Sequence, residues 1–327
     1  MIVRHYSYDS VTSALRSDDG SSPEDSTNRK LSLAIGDFDG VHLGHREVIA
    51  RAVRTARTLN LFSAVMTFHP HPRFVFGQRE YACNLTPLGE KLRRFRELGV
   101  DLVLVVRFDE VFARLSAAAF VERILIPLAP DTVTVGFDFT FGFRAEATPD
   151  TLCSLASGRF AVEVVRPIYE NGRKVSSSLI RECLRTGNVR AAASMLGRPY
   201  LLAGTVVRGD GRGRRIGFPT ANLVPDEPYV VPAGGVYAVR ATTPDGLRRI
   251  AVMNIGSRPT FVDGRTEGAE SVLEVHILDF AGTLYGSRLI VEFEDYLREE
   301  RRFPSAEELI RQIARDVKAA KSIVALD

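Results

Sequence analysis

Hydrophobic and polar positions change rhythm once along this chain, just after Gly197. Before that point, short apolar runs alternate with stretches of helical spacing. Leu31–Gly36 is an apolar run that ends in Gly and predicts a buried strand. His45–Leu59 follows with helical patterning, and Phe62–Phe68 reads as a strand. Thr86 is placed to cap a helix that has Pro87 at its first position and runs to Leu98. Leu102–Phe108 is a further strand, and Ser116 is placed to cap a helix over Ala117–Leu125. Thr132–Phe137 and Val162–Ile168 read as strands, with a short helix near Pro149–Ser157 between them. Strands alternating with helices predict a mostly parallel sheet covered on both faces. Beyond Gly197, strands are expected at Gly204–Arg208, Gly235–Thr242, Arg249–Ile255, Val272–Leu278 and Leu289–Phe293. Gly- and Pro-rich turns separate them instead of long helices, which is the pattern of an antiparallel barrel or sandwich. Ser305 then caps a closing helix reaching about Ala325. Ser17–Lys30, rich in Ser, Asp and Pro, reads as a mobile loop. The boundary between the halves is expected near Gly187–Gly204, across a short helix at Val189–Leu196, and no internal repeat is visible.

A length of 327 residues agrees with two domains, because single cores stop growing below this size. The balance of 45% hydrophobic and 25% charged residues is that of an ordinary soluble chain. A net charge of +3 gives no global field toward nucleic acid. Lys occurs only at 30, 91, 174, 318 and 321, so Arg carries nearly all the positive charge. Arg forks suit phosphate oxygens, although genomic composition explains the bias equally simply. Cys83, Cys153 and Cys183 are odd in number and form no CxxC, which argues against a disulfide framework or zinc site and for free thiols in a reducing cytoplasm. Met1–Leu15 has no apolar core of the signal-peptide kind, and no stretch approaches membrane-spanning length. A cytoplasmic monomer or weak homo-oligomer, with no membrane or nucleic-acid partner, is the expectation.

The first chemical constellation is Gly36-Asp37-Phe38-Asp39-Gly40-Val41-His42-Leu43-Gly44-His45, leaving a strand and entering a helix. Ligands of open parallel sheets bind beyond the carboxyl ends of strands, and a helix N-terminus there suits phosphate. Gly44 permits close backbone approach. His42 and His45, three apart, can converge on one phosphoryl group as charge migrates to a leaving pyrophosphate. A lone His at a turn is usually a surface accident; an H-x-G-H after F-D-G is a more specific pattern. Val175-Ser176-Ser177-Ser178-Leu179-Ile180-Arg181 offers hydroxyls at a helix start, either as plain caps or as phosphate donors, with Arg181 able to clamp phosphates. These segments resemble the adenylyltransferase half of prokaryotic bifunctional riboflavin kinase/FAD synthetases. Thr67-Phe68-His69-Pro70-His71-Pro72 and Gly136-Phe137-Asp138-Phe139-Thr140-Phe141-Gly142 resemble that family's second and third signatures. The resemblance implies catalytic roles for His42 and His45. It implies ATP binding by these two with Gly36, Phe38, Asp39, Gly40, Gly44, Ser177, Ser178 and Arg181. Phe68, His71, Pro72, Asp138 and Phe139 are implied as flavin-binding. Three positions depart from the family pattern: Asp37 replaces a neutral residue, Ser178 a Thr, and Glu146-Ala147 a Gly. The last adds charge and stiffness near the implied flavin pocket.

The second constellation runs from Gly204 to Asn222 and carries Gly209, Gly211, Gly213 and Gly217 in a basic turn. Such glycines let backbone N–H groups point at a ligand. The G-K-[ST] ending of a Walker A loop is missing, and no helix follows as a dinucleotide fingerprint requires. A basic surface loop touching nucleic acid is the bland alternative, weakened by the scarcity of aromatics for base stacking. Gly217-Phe218-Pro219-Thr220-Ala221-Asn222 resembles the P-T-A-N signature of riboflavin kinases. Gly235-Val236-Tyr237, Asn254 to Phe261, Leu273-Glu274-Val275-His276, Leu284-Tyr285-Gly286 and Leu297 to Phe303 follow in the family's order. The resemblance implies ATP binding by Gly209, Gly211, Gly213, Gly217, Thr220 and Asn222, with Mg²⁺ on Thr220 and Asn222, whose oxygens are hard donors. It makes Glu274 the base acting on riboflavin and adds Arg298 to the flavin site, an Arg read here as part of a charged helix.

The resemblance covers the chain from about Leu31 onward. It implies a Rossmann-like nucleotidyltransferase α/β/α domain over 1–187 and a riboflavin-kinase antiparallel β-barrel with a terminal helix over 188–327. Its implied activity converts riboflavin to FMN with one ATP and FMN to FAD with another, releasing pyrophosphate, so riboflavin, FMN, FAD and ATP are the expected partners. Two rival readings remain at this point. One is a paralogue that keeps a single activity or acts on a flavin analogue; the other is a non-catalytic flavin-sensing or RNA-binding protein.

Overall fold

The computed structural model describes residues 1–9, 12, 14–18, 30–209, 213, 216–262 and 265–324, with backbone alone for 17, 257–262 and 265–270. Most of the Ser17–Lys30 loop, Gly211 and the expected helix end at Ala325 lie outside the described residues. The chain divides into two compact units, Met1–Ser176 and Ser177–Asp327.

The first unit contains strands β1 (Ile2–Asp9), β2 (Ala14–Ser17) and β3 (Leu31–Ile35), helix α1 (Leu43–Leu59) and strand β4 (Phe62–His69). Helices α2 (Pro72–Val75) and α3 (Leu88–Glu97), strand β5 (Leu102–Arg107) and the short helices α4 (Glu110–Ala113) and α5 (Ala117–Phe120) follow. Strand β6 (Pro130–Gly136), helix α6 (Pro149–Ala156), strand β7 (Ala161–Val165) and the hairpin β8 (Tyr169–Glu170) and β9 (Arg173–Lys174) complete it. The sheet order is β2-β1-β5-β4-β3-β6-β7, parallel except for β2. From β3 the chain adds β4 and β5 on one side, then β6 and β7 on the other. The loop after β3 therefore opens at the point where strand order reverses, the place where open α/β sheets bind ligands.

Alternating residues of the central strands feed two cores. Leu33, Ile35, Met66 and Leu104 pack with Phe120 and Ile124 on one face. Ala34, Val65, Val103 and Val105 pack on the other with Ile49 and Val53 of α1 and Phe95 of α3. Each such side chain contributes about 1.5–3 kcal/mol when fully buried. Strands β1 and β2 were not visible in the sequence, where Arg4, His5 and Ser7 obscure any apolar run. Helix α3 begins at Leu88, one residue later than expected, with Pro87 at its cap position, and the Thr86 N–H is donated to Asp39. Ser116 does cap α5, its Oγ accepting from Ala119 N at 3.2 Å, and the helix widens into a π-turn over Val121–Leu125.

The second unit opens with helices α7 (Ser177–Arg185) and α8 (Val189–Leu196). Strands β10 (Tyr200–Val207), β11 (Ala221–Pro225), β12 (Gly235–Thr242), β13 (Arg248–Val262), β14 (Arg265–Ile277) and β15 (Arg288–Arg298) form a closed barrel in the order β10-β11-β14-β13-β12-β15. Helix α9 (Ala306–Val324) ends the described chain, with Ser305 Oγ accepting from Glu308 N. The barrel wall sorts residues by parity. Tyr237, Val239, Met253, Ile255, Leu273 and Val275, all at or below 2% exposure, fill the interior. Val236, Ala238 and Val252 face outward and are covered by Val317, Ala320 and Ile323 of α9. Burial, with nearby Tyr296, pushes the Tyr237 phenol well above its ordinary pKa, and its hydroxyl donates to Ala233 O at 2.6 Å. Among the described residues no helix is long and apolar enough to cross a membrane.

Candidate active sites

The loop after β3 is built by aromatic packing and three polar ties. Phe38 and Val41, at φ 58° and 41°, adopt left-handed backbone with Gly40. The Phe38 ring folds back over Gly36, where an added Cβ would lie 2.9 Å from it, and meets Phe95 and His45 edge to face. Gly36 is thus required by its own neighbour in the loop. Buried Asp39 accepts the Thr86 N–H at 3.0 Å. The Asp37 carbonyl accepts from Thr67 Oγ1 at 2.8 Å and from buried Lys91 Nζ at 2.6 Å.

His42 is the N-cap of α1. Its Nδ1 accepts the His45 N–H at 3.2 Å, and its ring stacks on His45 with centroids 3.5 Å apart. An acceptor Nδ1 places the proton of the neutral ring on Nε2. The cap therefore fixes the tautomer, with the ring at the N-terminus of α1, where the helix dipole is positive. A Cβ on Gly44 would come within 3.2 Å of the His42 ring, so Gly44 gives room to the histidine.

Asp37 is the hub of this loop. Its Oδ2 accepts the Asp39 N–H at 3.1 Å and lies 3.3 Å from His71 Nε2; its Oδ1 is 3.8 Å from Lys91 Nζ. The charge that departs from the family pattern is balanced locally by Lys91. His71 also caps α2, its Nδ1 accepting from Arg73 N at 3.0 Å. Both ring nitrogens of His71 thus face groups of the protein itself, and Pro72 opens α2 behind it.

The other expected flavin residues lie at the same end of the sheet. Phe68 is edge-on to Phe108 at 5.7 Å, which in turn meets half-exposed Phe76 at 5.8 Å. Phe139 stacks on Phe141, and Asp138 pairs with Lys174 at 3.1 Å. Glu146 does not load this region with free charge. Its Oε1 accepts the Ala117 N–H at 2.8 Å, making a second cap for α5, while Phe141 and Ala147 exchange backbone hydrogen bonds. Ser177, Ser178 and Arg181 open α7 in the second unit, where Arg181 is buried.

In the barrel, register creates a row. Asn222 of β11 stands opposite Glu274 of β14, and Glu274 opposite Asn254 of β13. The row continues through Val236 to Arg298 at the end of β15. Cross-strand partners share a face with Cβ atoms about 4.5–5.5 Å apart. A cleft of about 530 Å³ opens on this face between the barrel wall and α9, lined by Thr220, Asn254, Glu274, His276, Leu309 and Ile313 among others. Arg298 ends a strand and is not on a helix; its guanidinium forks onto Asp316 of α9, with Nη2 at 2.8 Å, and pins that helix over the cleft. Gly209 lies against Asn222, where an added Cβ would meet the amide nitrogen at 2.2 Å. Gly213 closes the turn by accepting from Phe218 N at 2.9 Å, and Gly217 has φ 86°. Thr220 and Asn222 offer oxygens suited to a hard cation, while among the described residues no three His, Cys, Asp or Glu gather for a metal. Lys91, Asn254 and Asp316 are the contributors not anticipated from sequence.

Comparison with known proteins agrees with this division. A family model described as FAD synthetase matches residues 24–179, and one described as riboflavin kinase matches 196–324. The chain is 41% identical over 292 residues to the bifunctional riboflavin kinase/FMN adenylyltransferase of Bacillus subtilis, covering 89% of this chain and 92% of the relative. It is also 41% identical over 298 residues to the protein so named in Escherichia coli K12, covering 90% and 93%. A crystal structure described as a macrolide-efflux protein from Streptococcus pneumoniae superposes with a TM-score of 0.84 at 31% identity, over 92% of this chain and 97% of that one. With both matched halves present in order, the chain belongs to the bifunctional riboflavin kinase/FMN adenylyltransferase family.

Proposed function

We propose that this enzyme makes FAD from riboflavin in two ATP-dependent steps, with residues 188–327 forming FMN and residues 1–187 adenylylating it. The observation that carries the reading is the alignment of Asn222 beside Glu274 across β11 and β14. It sets an oxygen donor for the nucleotide next to a carboxylate that can act as a base.

In the kinase step the riboflavin 5′-hydroxyl oxygen attacks the γ-phosphorus of ATP, its proton passes to Glu274, and ADP leaves. Leu309 and Ile313 give the cleft an apolar end suited to the flavin ring, and Asn254 and Glu274 give it a polar end for the side chain. Thr220 and Asn222 are the residues that would hold Mg²⁺, which neutralises triphosphate charge when bound. In the adenylyltransferase step a phosphate oxygen of FMN attacks the α-phosphorus of a second ATP and pyrophosphate leaves. That nucleophile is already an anion, so the site needs positioning and charge stabilisation more than a base. His42 Nε2 and the N-terminus of α1 supply the stabilisation, and the aromatic step of Phe68, Phe108 and Phe76 offers a surface for the flavin ring.

The test follows FMN and FAD separately when the full chain is given riboflavin and Mg-ATP. Sequential appearance of both products is expected; FMN without FAD would leave only the kinase half of the reading. Gly209→Ala adds a methyl where the Asn222 amide lies. It is expected to slow FMN formation by at least about tenfold, an energy within the cost of a forced local shift, while FMN-to-FAD conversion is unchanged. Equal FMN rates in Gly209→Ala and the parent chain would show that Asn222 placement does not matter.

A further inference from the structure

We infer that His276 is a positioning residue of the kinase site, holding the turn that carries Thr220 in register with the strand that carries Glu274. This inference rests on the reading that Thr220 and Asn222 grip the nucleotide.

His276 follows Glu274 by two positions on β14, so both side chains emerge on the outward face and both line the cleft. Its Nδ1 lies 2.8 Å from the carbonyl oxygen of Pro219. A carbonyl can only accept, so Nδ1 carries the proton. The ring also meets Phe218 edge to face, with centroids 5.4 Å apart. Two consecutive residues of the turn are thereby fixed to β14 by one side chain.

The Pro219 carbonyl belongs to the peptide plane that joins Pro219 to Thr220. That plane has only soft dihedrals on either side. Fixing its oxygen fixes the direction in which the Thr220 backbone and hydroxyl leave the turn. On the other flank the turn is held by Gly213, whose carbonyl accepts from Ile216 N and Phe218 N. Regular pairing to β14 begins at Ala221, opposite Val275. Between Gly213 and Ala221, among the described residues, the His276 bond is a tie that refers Thr220 to the strand of the base. One strand then sets both ends of the reaction path, Glu274 directly and the phosphate grip through His276.

The experiment compares His276→Asn, His276→Gln and Thr220→Val in the full chain, measuring kcat and both KM values for FMN formation. The Asn amide nitrogen falls near the place of Nδ1, whereas that of Gln falls near Nε2. His276→Gln is expected to raise KM for Mg-ATP about five- to tenfold, the scale of one well-placed hydrogen bond, with KM for riboflavin unchanged. His276→Asn is expected to restore most of the ATP affinity, an ordering that a merely structural role would not produce. FMN-to-FAD conversion by the same samples should equal that of the parent chain. Equal ATP KM values for Asn, Gln and parent, or a rise in riboflavin KM instead, would overturn the inference. Thr220→Val separates the two failures. If it weakens ATP while His276→Gln does not, only the role of His276 falls; if Thr220→Val leaves ATP unaffected, the nucleotide grip itself is misplaced.

Discussion

Glu274→Gln is expected to reduce FMN formation by about 10²–10⁴, the usual contribution of a positioned general base, while FMN-to-FAD conversion proceeds at the parent rate. Gln keeps the size and the hydrogen-bonding reach of the side chain but cannot take a proton. The barrel should tolerate it, because Glu274 faces the cleft while Leu273 and Val275 on the same strand fill the interior. The loss should therefore appear in kcat, with riboflavin and ATP KM values little changed, because an interaction made chiefly in the transition state has been removed. Product-resolved chromatography reads the two reactions separately, FMN formation from supplied riboflavin and FAD formation from supplied FMN. A Glu274→Gln enzyme with near-parent FMN formation would transfer the role of base to another group. Loss of FAD formation from supplied FMN in a folded Glu274→Gln protein would contradict the division of labour between the halves.

The mirror experiment uses His42→Asn. Asn is as good an N-cap as the residues most often found there, so α1 keeps its first-turn bond to the His45 N–H. What disappears is the Nε2 donor. FAD formation is expected to fall by about 10²–10³, the scale seen when one donor to a developing oxyanion is removed, with FMN formation intact. His42→Ala should lose the same rate and, in addition, about 1 kcal/mol of stability from the lost cap. Thermal unfolding of the two variants separates the contributions. If His42→Asn formed FAD at nearly the parent rate, the imidazole would matter only as a cap.

Why some of this was legible in the sequence and some was not follows from range. The H-x-G-H loop is local: strand, turn and helix start lie within about one turn of each other, and its residues announce themselves together. Glu274 is different: spacing alone leaves it an ordinary solvent-facing residue of a strand, and its implied role as base comes from the resemblance. Lys91 is 54 positions from Asp37 and reaches it only because α3 packs beside the loop. Asn254 joins Glu274 through strand register, and Asp316 reaches Arg298 from a helix 18 residues on. Spacing carries no trace of such contacts. Strand β11 was overlooked for a different reason. Its Pro-Thr-Ala-Asn entry reads as turn chemistry, and only Leu223 in it is fully buried, so no alternation emerges. Arg298 reads as a helical residue in the sequence because the charged run after it hides the strand end. Glu146 shows the converse: its substitution for Gly looked like a disturbance beside the flavin site, yet its carboxylate has found backbone work as a cap for α5.

The fork of Arg298 on Asp316 has a consequence for how the folded chain responds to its own substrate. Together with the packing of Val317, Ala320 and Ile323 on the barrel, it holds α9 above a space whose floor is the barrel. A flavin held there, as proposed, would fill the gap between the helix and the barrel and would lose those contacts if the helix lifted. By mass action, such a guest at a hundred times its dissociation constant adds about 2.7 kcal/mol to the cohesion of the segment it lies beneath. Flavin occupancy of this cleft is thus expected to slow amide hydrogen exchange over Ala306–Val324, measured with and without riboflavin.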